Sequence, residues 1–198
     1  MYNPYDYYFQ KAKKSWYKAR SAFKLEEINN KFKLFDNSTK HVLDIWCSPG
    51  SWIQYAWKNI NNNKNFKIVW FDIKPTNLDL ENVFTYQQDI QELDKIKSIL
   101  EELNIQSFDL IMSDMAPDTT GIKDIDAIKS IWLIEKTLPL YQNFLSENWK
   151  FVIKIFMGPW FEEFLKELKS IYWNKSIKTY KPKSTRKESK EIYIIKSS

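Results

Sequence analysis

The chain alternates short apolar runs with longer stretches in which apolar residues recur every three or four positions. The amphipathic stretches predict helices at residues 51–60, 91–103, 124–146 and 160–171, and an extra N-terminal helix at residues 21–32. The apolar runs are typical of buried strands and lie at residues 41–45, 66–73, 108–114, 150–156 and 191–196, with weaker ones at 82–87 and 176–180. This alternation predicts an α/β fold: a doubly wound, Rossmann-like, mostly parallel seven-stranded sheet with helices on both faces.

Length and composition favour one compact domain over residues 1–198. The chain is 43% hydrophobic, which argues against disorder, and its single cysteine excludes an internal disulfide framework. No apolar segment approaches the roughly 20 residues that span a bilayer. The N-terminus lacks the apolar core of a signal peptide, so we expect a cytoplasmic protein without membrane contact.

The net charge of +5 is unevenly distributed along the chain. Residues 1–40 carry nine basic residues against four acids, and residues 174–198 carry eight against two. The intervening part has thirteen basic residues against nineteen acids. The basic ends indicate a polyanionic partner such as RNA, although solvated lysine faces would give the same pattern. Of the thirty basic residues only Arg20 and Arg186 are arginines.

Aspartates follow four of the predicted strands. Asp44 belongs to the end of the first strand, Asp72 ends the second, Asp89 follows the third and Asp114 ends the fourth. Ligands of doubly wound sheets bind at this edge, where such acids can accept hydrogen bonds from ribose hydroxyls or an adenine amine. The alternative is that aspartate simply favours strand ends and turns. No glycine-rich dinucleotide fingerprint or P-loop is present, and no metal ion is expected.

Two lysines occupy unusual positions. Lys154 lies inside the apolar strand VIKIF, and Lys24 lies in the early helix. A buried ammonium is costly unless it is paired, and Asp114 is the natural partner of Lys154. The alternative is a lysine near the strand end that reaches water. Glu191 begins the last strand, directly after the basic stretch KPKSTRKESK.

These residues, in this order, resemble the FtsJ/RrmJ family of S-adenosylmethionine-dependent ribose 2′-O-methyltransferases. The segments that carry the resemblance span the chain: YKARSAFKLEEI, LDIWCSPGSWIQ, FDIKP, QQDI, SDMAPDTTGIKDID, FVIKIFMG and KPKSTRKESKEIY. The resemblance implies a methyltransferase fold with a catalytic core at residues 41–198. It also implies that residues 1–40 form an RNA-contacting extension.

The family's functional residues fall on matching positions of this chain. The resemblance implies a catalytic tetrad of Lys24, Asp114, Lys154 and Glu191. S-adenosyl-L-methionine would be held by Gly50, Trp52, Asp72, Asp89 and Asp114. The basic ends would hold RNA beside this site through Lys18, Arg20, Lys181, Lys183 and Arg186. The single-domain form is similar to bacterial enzymes that methylate a uridine ribose in large-subunit ribosomal RNA, and we expect a monomer.

The chemistry of the tetrad leaves two roles open for Lys154. A neutral amine would remove the proton from the ribose hydroxyl, whereas a charged one would only orient and polarise it. The function has alternatives as well. A catalytically silent RNA-binding or ribosome-assembly factor could use the same fold, and a 2′-O-methyltransferase of tRNA or of an mRNA cap would differ only in substrate.

Tryptophan stands at several positions where the family has glycine. Trp46 is the most conspicuous, because it lies in the turn LDIWCSPG that should bring bare backbone against the cofactor. The others are Trp16, Trp70 and Trp149, with Trp160 and Trp173 as looser candidates. The chain has nine tryptophans and only 3 glycines, where average usage would give about 14 glycines. We hypothesise that these tryptophans are glycines encoded by UGA; the rival hypothesis is a degenerate protein that has lost cofactor binding.

Overall fold

The computed structural model describes residues 7–46, 48–75, 78–171 and 176–197. The helices are α1 Tyr7–Lys14, α2 Ala22–Phe32, α3 Ser51–Ile60, α4 Leu93–Glu102, α5 Lys123–Glu135, α6 Leu138–Phe144 and α7 Phe161–Ile171. The strands are β1 His41–Ile45, β2 Lys67–Asp72, β3 Val83–Gln87, β4 Phe108–Ser113, β5 Leu145–Phe156, β6 Ile177–Tyr180 and β7 Glu191–Lys196.

The seven strands of the described residues form one sheet in the order β3-β2-β1-β4-β5-β7-β6. Strands β1 to β5 run parallel, whereas β7 is antiparallel to both of its neighbours. The strand order reverses between β1 and β4, which is where doubly wound folds bind ligands at the carboxyl ends of the strands. Because β7 runs the other way, its first residue, Glu191, pairs with Phe156 at the end of β5.

Helices cover both faces of the sheet, which explains the continuous apolar strands of the sequence. Successive side chains of a strand point to opposite faces. In β1, accordingly, Leu43 and Ile45 belong to the core beneath α4 to α7, whereas Val42 belongs to the core beneath α2 and α3. Within the described ranges, no helix is long and apolar enough to cross a membrane.

Three elements differ from the sequence prediction by more than two residues or were not predicted. The helix predicted over residues 124–146 is two helices, α5 and α6, separated at Lys136 and Thr137. Pro139 in the first turn of α6 cannot donate to the preceding turn, and Thr137 instead donates its hydroxyl to the Ile134 carbonyl over 2.7 Å. Strand β5 begins at Leu145 rather than residue 150, and helix α1 was not predicted.

Candidate active site

Three strands and one helix bring the predicted catalytic residues to one edge of the sheet. Asp114 directly follows β4, and Lys154 is the third residue from the end of β5. The antiparallel direction of β7 places its first residues at this same edge, so that Tyr193 pairs with Lys154 and Glu191 with Phe156. The sheet topology therefore assembles groups that are far apart in the sequence.

The four tetrad residues are connected by one tyrosine hydroxyl. Lys154 Nζ lies 3.1 Å from Asp114 Oδ1 and also donates to the Asp114 carbonyl oxygen. The Tyr193 hydroxyl lies 3.0 Å from Asp114 Oδ1 and 2.5 Å from Glu191 Oε1. Glu191 Oε1 is 2.7 Å from Lys24 Nζ. We call this sequence of contacts, Lys154–Asp114–Tyr193–Glu191–Lys24, the charged row.

The charged row is almost closed to solvent. Its four charged side chains are only 9% to 13% exposed, and Tyr193 is fully buried. Burial, followed by the charges of Asp114 and Glu191, raises the pKa of Tyr193 well above its usual value, so its hydroxyl stays protonated. Two ammonium groups balance two carboxylates, which allows four charges to remain buried together.

Helix α2 and Arg20, which lies two residues before it, hold the C-terminal segment against the site. Lys24 pairs with Glu191, and the Glu27 carboxylate accepts the backbone N–H groups of Lys183 and Ser184 at 2.6 and 2.9 Å. The Arg20 guanidinium donates to the Ser184 carbonyl over 2.5 Å. Residues 181–190, which we call the basic loop, are thus fixed beside the charged row.

Two buried residues of the site were not identified from the sequence. Tyr193 could have been found, because period-two alternation puts it on the same face of β7 as Glu191. Asp126 accepts hydrogen bonds from Thr120 N and Oγ1 at 2.6 and 2.9 Å and from Gly121 N at 3.2 Å. It therefore shapes the segment that follows Asp114, and no separate sequence signal points to it.

Two adjoining cavities open along the carboxyl ends of β1, β2 and β4. One, of about 140 Å³, is lined by Asp89 and Gln91; the other, of about 480 Å³, reaches Asp114 and Lys154. They share four lining residues, and we call the two together the cofactor cleft. The shared residues are Trp46, Asp72, Ile73 and Leu133.

The predicted cofactor residues differ in how they meet this cleft. Asp72 lines both cavities and accepts the backbone N–H groups of Lys74 and Ser48 at 2.8 and 3.2 Å, while burial raises its pKa. Asp89 is exposed at the far wall, and its carboxylate accepts the Gln91 N–H at 2.9 Å. Each of the two cavities of the cleft therefore contains carboxylate groups that can accept hydrogen bonds.

Gly50 and Trp52 do not line the cofactor cleft. Gly50 precedes α3 with φ +95°, and a Cβ atom there would lie 2.4 Å from a Leu78 methyl group, so this turn requires glycine. Trp52 is fully buried and donates its indole N–H to the Ser21 carbonyl over 2.9 Å. Its ring packs on Tyr193 with centroids 5.7 Å apart. A fully buried indole offers no surface to a cofactor, and Asp44 is likewise fully buried within β1.

Trp46 lies in the cofactor cleft with a backbone conformation that tryptophan rarely adopts. Its φ is +59°, and it lines both cavities of the cleft together with Asp72. Trp16 and Trp160 also have positive φ values, +61° and +63°. A positive φ in a bulky residue is a genuine outlier, whereas glycine adopts it freely. The backbone at these three positions therefore has a conformation that glycine adopts without strain.

The other tryptophans of the glycine hypothesis differ. Trp70 is buried in β2, and its indole N–H has no hydrogen-bond partner among the described residues. Trp149 stacks on Phe151 and carries the Lys196 ammonium 3.6 Å above its ring, at the opposite edge of the sheet. These contacts give Trp149 a role as written. Trp173 lies outside the described residues.

Two of the predicted RNA-binding residues lie beside the charged row. Arg20 and Arg186 line a cavity that also includes Lys24 and Glu191. Lys183 is an exposed residue of the basic loop, whereas Lys181 donates its ammonium to the Ser189 carbonyl over 2.6 Å and so helps to shape that loop. Lys18 is exposed, and its backbone N–H is bound by the Gln54 side chain at 2.7 Å.

Comparison with known proteins agrees with this architecture. Residues 17–198 match the FtsJ-like methyltransferase family. The protein "Ribosomal RNA large subunit methyltransferase E" of Wolbachia sp. subsp. Brugia malayi is 43% identical over 190 residues, covering 96% of this chain and 82% of that protein. The protein of the same name from Bdellovibrio bacteriovorus is 40% identical over 194 residues, covering 98% and 96%.

A solved structure extends the agreement to three dimensions. The crystal structure of a ribosomal RNA methyltransferase from Plasmodium falciparum matches with a TM-score of 0.77 at 29% identity, covering 91% of this chain and 97% of that one. The doubly wound fold and the family resemblance predicted from the sequence are confirmed. The chain belongs to the FtsJ-like methyltransferase family.

Proposed function

We propose that the protein transfers a methyl group from S-adenosyl-L-methionine to a ribose 2′-hydroxyl of large-subunit ribosomal RNA, most specifically of a uridine. The observation that carries this proposal is the charged row, in which two lysines and two acids are held within hydrogen-bonding distance at the carboxyl edge of the sheet. The names of the relatives support ribosomal RNA as the substrate class.

The residues of the cofactor cleft fit S-adenosylmethionine in their donor and acceptor chemistry. Asp72 and Asp89 both line the smaller cavity, and we propose that Asp72 accepts the ribose hydroxyls and Asp89 an adenine amine. Asp114 borders the larger cavity beside Lys154. When bound, the cofactor supplies an electrophilic methyl group on a sulfonium. Trp46 is the residue that does not fit, because it lines the same two cavities as Asp72 and takes up space beside that carboxylate.

The charged row acts on the acceptor hydroxyl. Lys154 Nζ is fixed by the carboxylate and the carbonyl of Asp114, so it can hold a 2′-hydroxyl in line with the donor. Positioning of this kind contributes several kcal/mol to a rate enhancement, and proton removal adds about 10²–10⁴-fold. Lys24 and Glu191 hold the other end of the row and face the basic loop.

The two basic ends of the chain support RNA as the macromolecular partner. Arg20 and Ser184 are 164 positions apart in the sequence but directly hydrogen-bonded. The N-terminal extension and the basic loop therefore form one surface around the charged row. We propose that the protein acts there as a monomer, in the cytoplasm, on RNA within the large ribosomal subunit.

Trp46 favours a second candidate function, a catalytically silent RNA-binding or ribosome-assembly factor. With tryptophan in the cofactor cleft, the RNA-binding surface and the fold would remain while cofactor binding would be lost. The intact charged row argues for the enzyme, since an RNA-binding module gains nothing from four buried charges.

The experiment that tests the proposal is methyl transfer from labelled S-adenosylmethionine by the protein as written and by Trp46→Gly. Large ribosomal subunits, tRNA and capped RNA serve as acceptors, with Lys154→Ala as the inactive control. We expect label on one uridine ribose of the large-subunit RNA. Transfer to tRNA or to the cap instead would redirect the substrate assignment, and no transfer by Trp46→Gly would favour the silent factor.

A further inference from the structure

A cavity of about 380 Å³ lies beside the charged row, on the side away from the cofactor cleft. It shares Lys24 and Glu191 with the row, while the rest of its wall comes from Arg20 and the basic loop. Its lining consists of charged and hydroxyl side chains: Arg20, Lys24, Arg186, Glu188, Ser189 and Glu191. We call it the arginine pocket.

Arginine is rare in this chain, and both arginines line the arginine pocket. Of thirty basic residues, twenty-eight are lysines, yet Arg20 and Arg186 meet in one cavity from opposite ends of the sequence. Lysine provides a compact point charge, whereas a guanidinium provides a planar fork of donors that binds a phosphate through two parallel hydrogen bonds. Because the chain uses lysine at its other basic positions, the two arginines indicate that this cavity binds its ligand through the paired N–H donors of a guanidinium group.

The charges of the arginine pocket favour an anion between the two guanidinium groups. Burial, followed by repulsion from Arg186, lowers the pKa of Arg20, so the two cations oppose each other across the cavity. Glu191 is already paired with Lys24 at 2.7 Å, and Glu188 is an exposed residue. The lining therefore carries three cations, Arg20, Lys24 and Arg186, against two carboxylates, Glu188 and Glu191, and a bound anion would offset the excess positive charge.

The backbone presents Arg20 in a fixed position. Its guanidinium donates to the Ser184 carbonyl, and Ser184 N–H is in turn held by Glu27 at 2.9 Å. The turn that carries Arg186 is closed by a hydrogen bond from Ser189 N to the Arg186 carbonyl over 3.1 Å. Both arginines are thus mounted on hydrogen-bonded segments, which lowers the entropic cost of ordering them around a ligand.

We propose that the arginine pocket binds the phosphodiester on the 3′ side of the ribose that is methylated, through Arg20 and Arg186. This inference rests on the proposed function for the identity of the acceptor. In a nucleotide the 2′-hydroxyl is vicinal to the 3′-oxygen, so the 3′ phosphate is the phosphate nearest to the reacting group. The pocket is the anion site that adjoins the charged row, and Lys24 and Glu191 border both.

The test exchanges the two basic residue types at neighbouring positions. Arg186→Lys keeps the charge but removes the fork, and Lys187→Arg, at an exposed position outside the pocket, is the matched control. Binding of a fluorescein-labelled 23S ribosomal RNA fragment is measured by anisotropy over a range of salt concentrations. We expect Arg186→Lys to weaken binding about tenfold with an unchanged salt slope, and Lys187→Arg to change it less than about twofold.

Mononucleotide competition identifies the phosphate. Uridine 3′-monophosphate should displace the labelled RNA from the wild-type chain at a concentration at least about tenfold lower than uridine 5′-monophosphate or uridine. Arg186→Lys and Arg20→Lys should remove this preference. Melting temperatures of both variants check the fold, and Arg186→Lys carries the test because its side chain is exposed.

Equal RNA affinity of Arg186→Lys and the wild type, or equal competition by the three uridine compounds, would contradict the proposal that the arginine pocket binds the 3′ phosphodiester. Neither readout depends on methyl transfer. If methyl transfer to ribosomal RNA is mapped but the arginine exchange has no effect, the enzyme assignment stands and the pocket fails. If the 3′-monophosphate preference is found but no methyl is transferred to any RNA, the pocket stands and the enzyme assignment fails.

Discussion

At the scale of single residues, Trp46 decides whether the cofactor cleft can function. Its φ of +59° is strained for tryptophan, and it lines both cavities of the cleft beside Asp72, where it would obstruct the ribose hydroxyls of a cofactor. Trp46→Gly should therefore bind S-adenosylmethionine at least about tenfold more tightly than the chain as written, a gain comparable to one restored hydrogen bond to a charged group. Isothermal titration calorimetry measures the difference.

Trp16 provides a matched control for this prediction. It has nearly the same φ, +61°, but is 88% exposed and does not line the cleft. Trp16→Gly should leave cofactor affinity unchanged while relieving backbone strain of about 1 kcal/mol. If both variants leave affinity unchanged, Trp46 does not obstruct the cleft. Peptide mass spectrometry of the protein from its own host then tests the glycine hypothesis, and tryptophan at position 46 would refute it.

Lys154 is the residue on which the transfer chemistry depends most directly. Lys154→Ala removes the amine that faces the acceptor, so we expect turnover to fall by about 10²–10⁴-fold in the Trp46→Gly background. Cofactor affinity should stay within about threefold of the parent, because Asp72 and Asp89 are untouched. Asp114→Ala should impair both quantities, since Asp114 borders the cleft and the row. Near-normal turnover of Lys154→Ala would remove the catalytic assignment.

At the scale of elements, one buried lysine joins β5 to the end of α2, the helix that carries Lys24. Lys150 is 6% exposed, and its ammonium lies 2.5 Å from Asp36 Oδ2 and 3.1 and 3.2 Å from the Lys33 and Leu34 carbonyls. It thus satisfies orphan carbonyls at the helix C-terminus. This contact adds to the Lys24–Glu191 ion pair in fixing the orientation of α2 to the sheet.

We expect Asp36→Asn to destabilise the fold by about 1 kcal/mol at pH 7, because Lys150 keeps its carbonyl partners but loses a counter-charge that solvent partly screens. Partial burial acts to raise the pKa of Asp36, but hydrogen bonds from Lys150 and Ser38 outweigh it and hold the pKa well below the ordinary range. The carboxylate therefore stabilises the fold fully above its unfolded pKa of about 3.9 and loses that contribution as the pH falls towards its folded pKa.

Urea unfolding of the wild type and of Asp36→Asn between pH 3 and pH 7 measures this dependence. The difference between the two proteins should be largest near neutral pH and should shrink on acidification below about pH 4. Asp109→Asn is a useful comparison, because Asp109 anchors the N–H groups of Lys40 and His41 rather than an ammonium. A difference that is constant with pH would show that the ion pair does not contribute.

The elements that the sequence predicted best are those whose pattern is set by burial on both sides. The strands at residues 41–45 and 191–196 were placed with correct bounds, since each is a short run in which apolar residues predominate. The division between α5 and α6 was missed because the helical period continues across Thr137, and only Pro139 marked the break. Helix α1 was missed because it buries a single residue, Ala12.

The candidate site was predictable to the extent that its residues break a local rule. Lys154 in an apolar strand and aspartates at strand ends were visible in the sequence, because each is unfavourable or frequent there for a stated reason. Tyr193 broke no rule, since tyrosine is common in buried strands. The hydrogen bonds that make it the centre of the row depend on the antiparallel register of β7, which no local pattern encodes.

At the scale of the whole molecule, the fold brings two basic ends to one surface. Lys18 precedes α2 and Lys183 belongs to the basic loop, and both are exposed. Removing both charges by Lys18→Gln and Lys183→Gln should reduce the slope of log affinity for RNA against log salt by up to about two, because each phosphate contact contributes about one.

The control for this prediction removes two charges elsewhere. Lys97 on α4 and Lys166 on α7 are exposed as well, so Lys97→Gln with Lys166→Gln changes the net charge equally. Filter-binding titrations of a 23S ribosomal RNA fragment at several salt concentrations compare the two double variants. Equal slopes for both would mean that RNA responds to net charge alone and that the converging ends form no binding surface.

The Tyr193 hydroxyl carries one hydrogen but lies within bonding distance of two carboxylates, Asp114 and Glu191. The hydroxyl can therefore donate to only one of them at a time, and the oxygen of the other faces a tyrosine lone pair. Because Asp114 also holds Lys154 and Glu191 also holds Lys24, the direction of one hydroxyl group links two ion pairs. Replacing Tyr193 by phenylalanine would remove this link and leave two separate ion pairs at the same edge of the sheet.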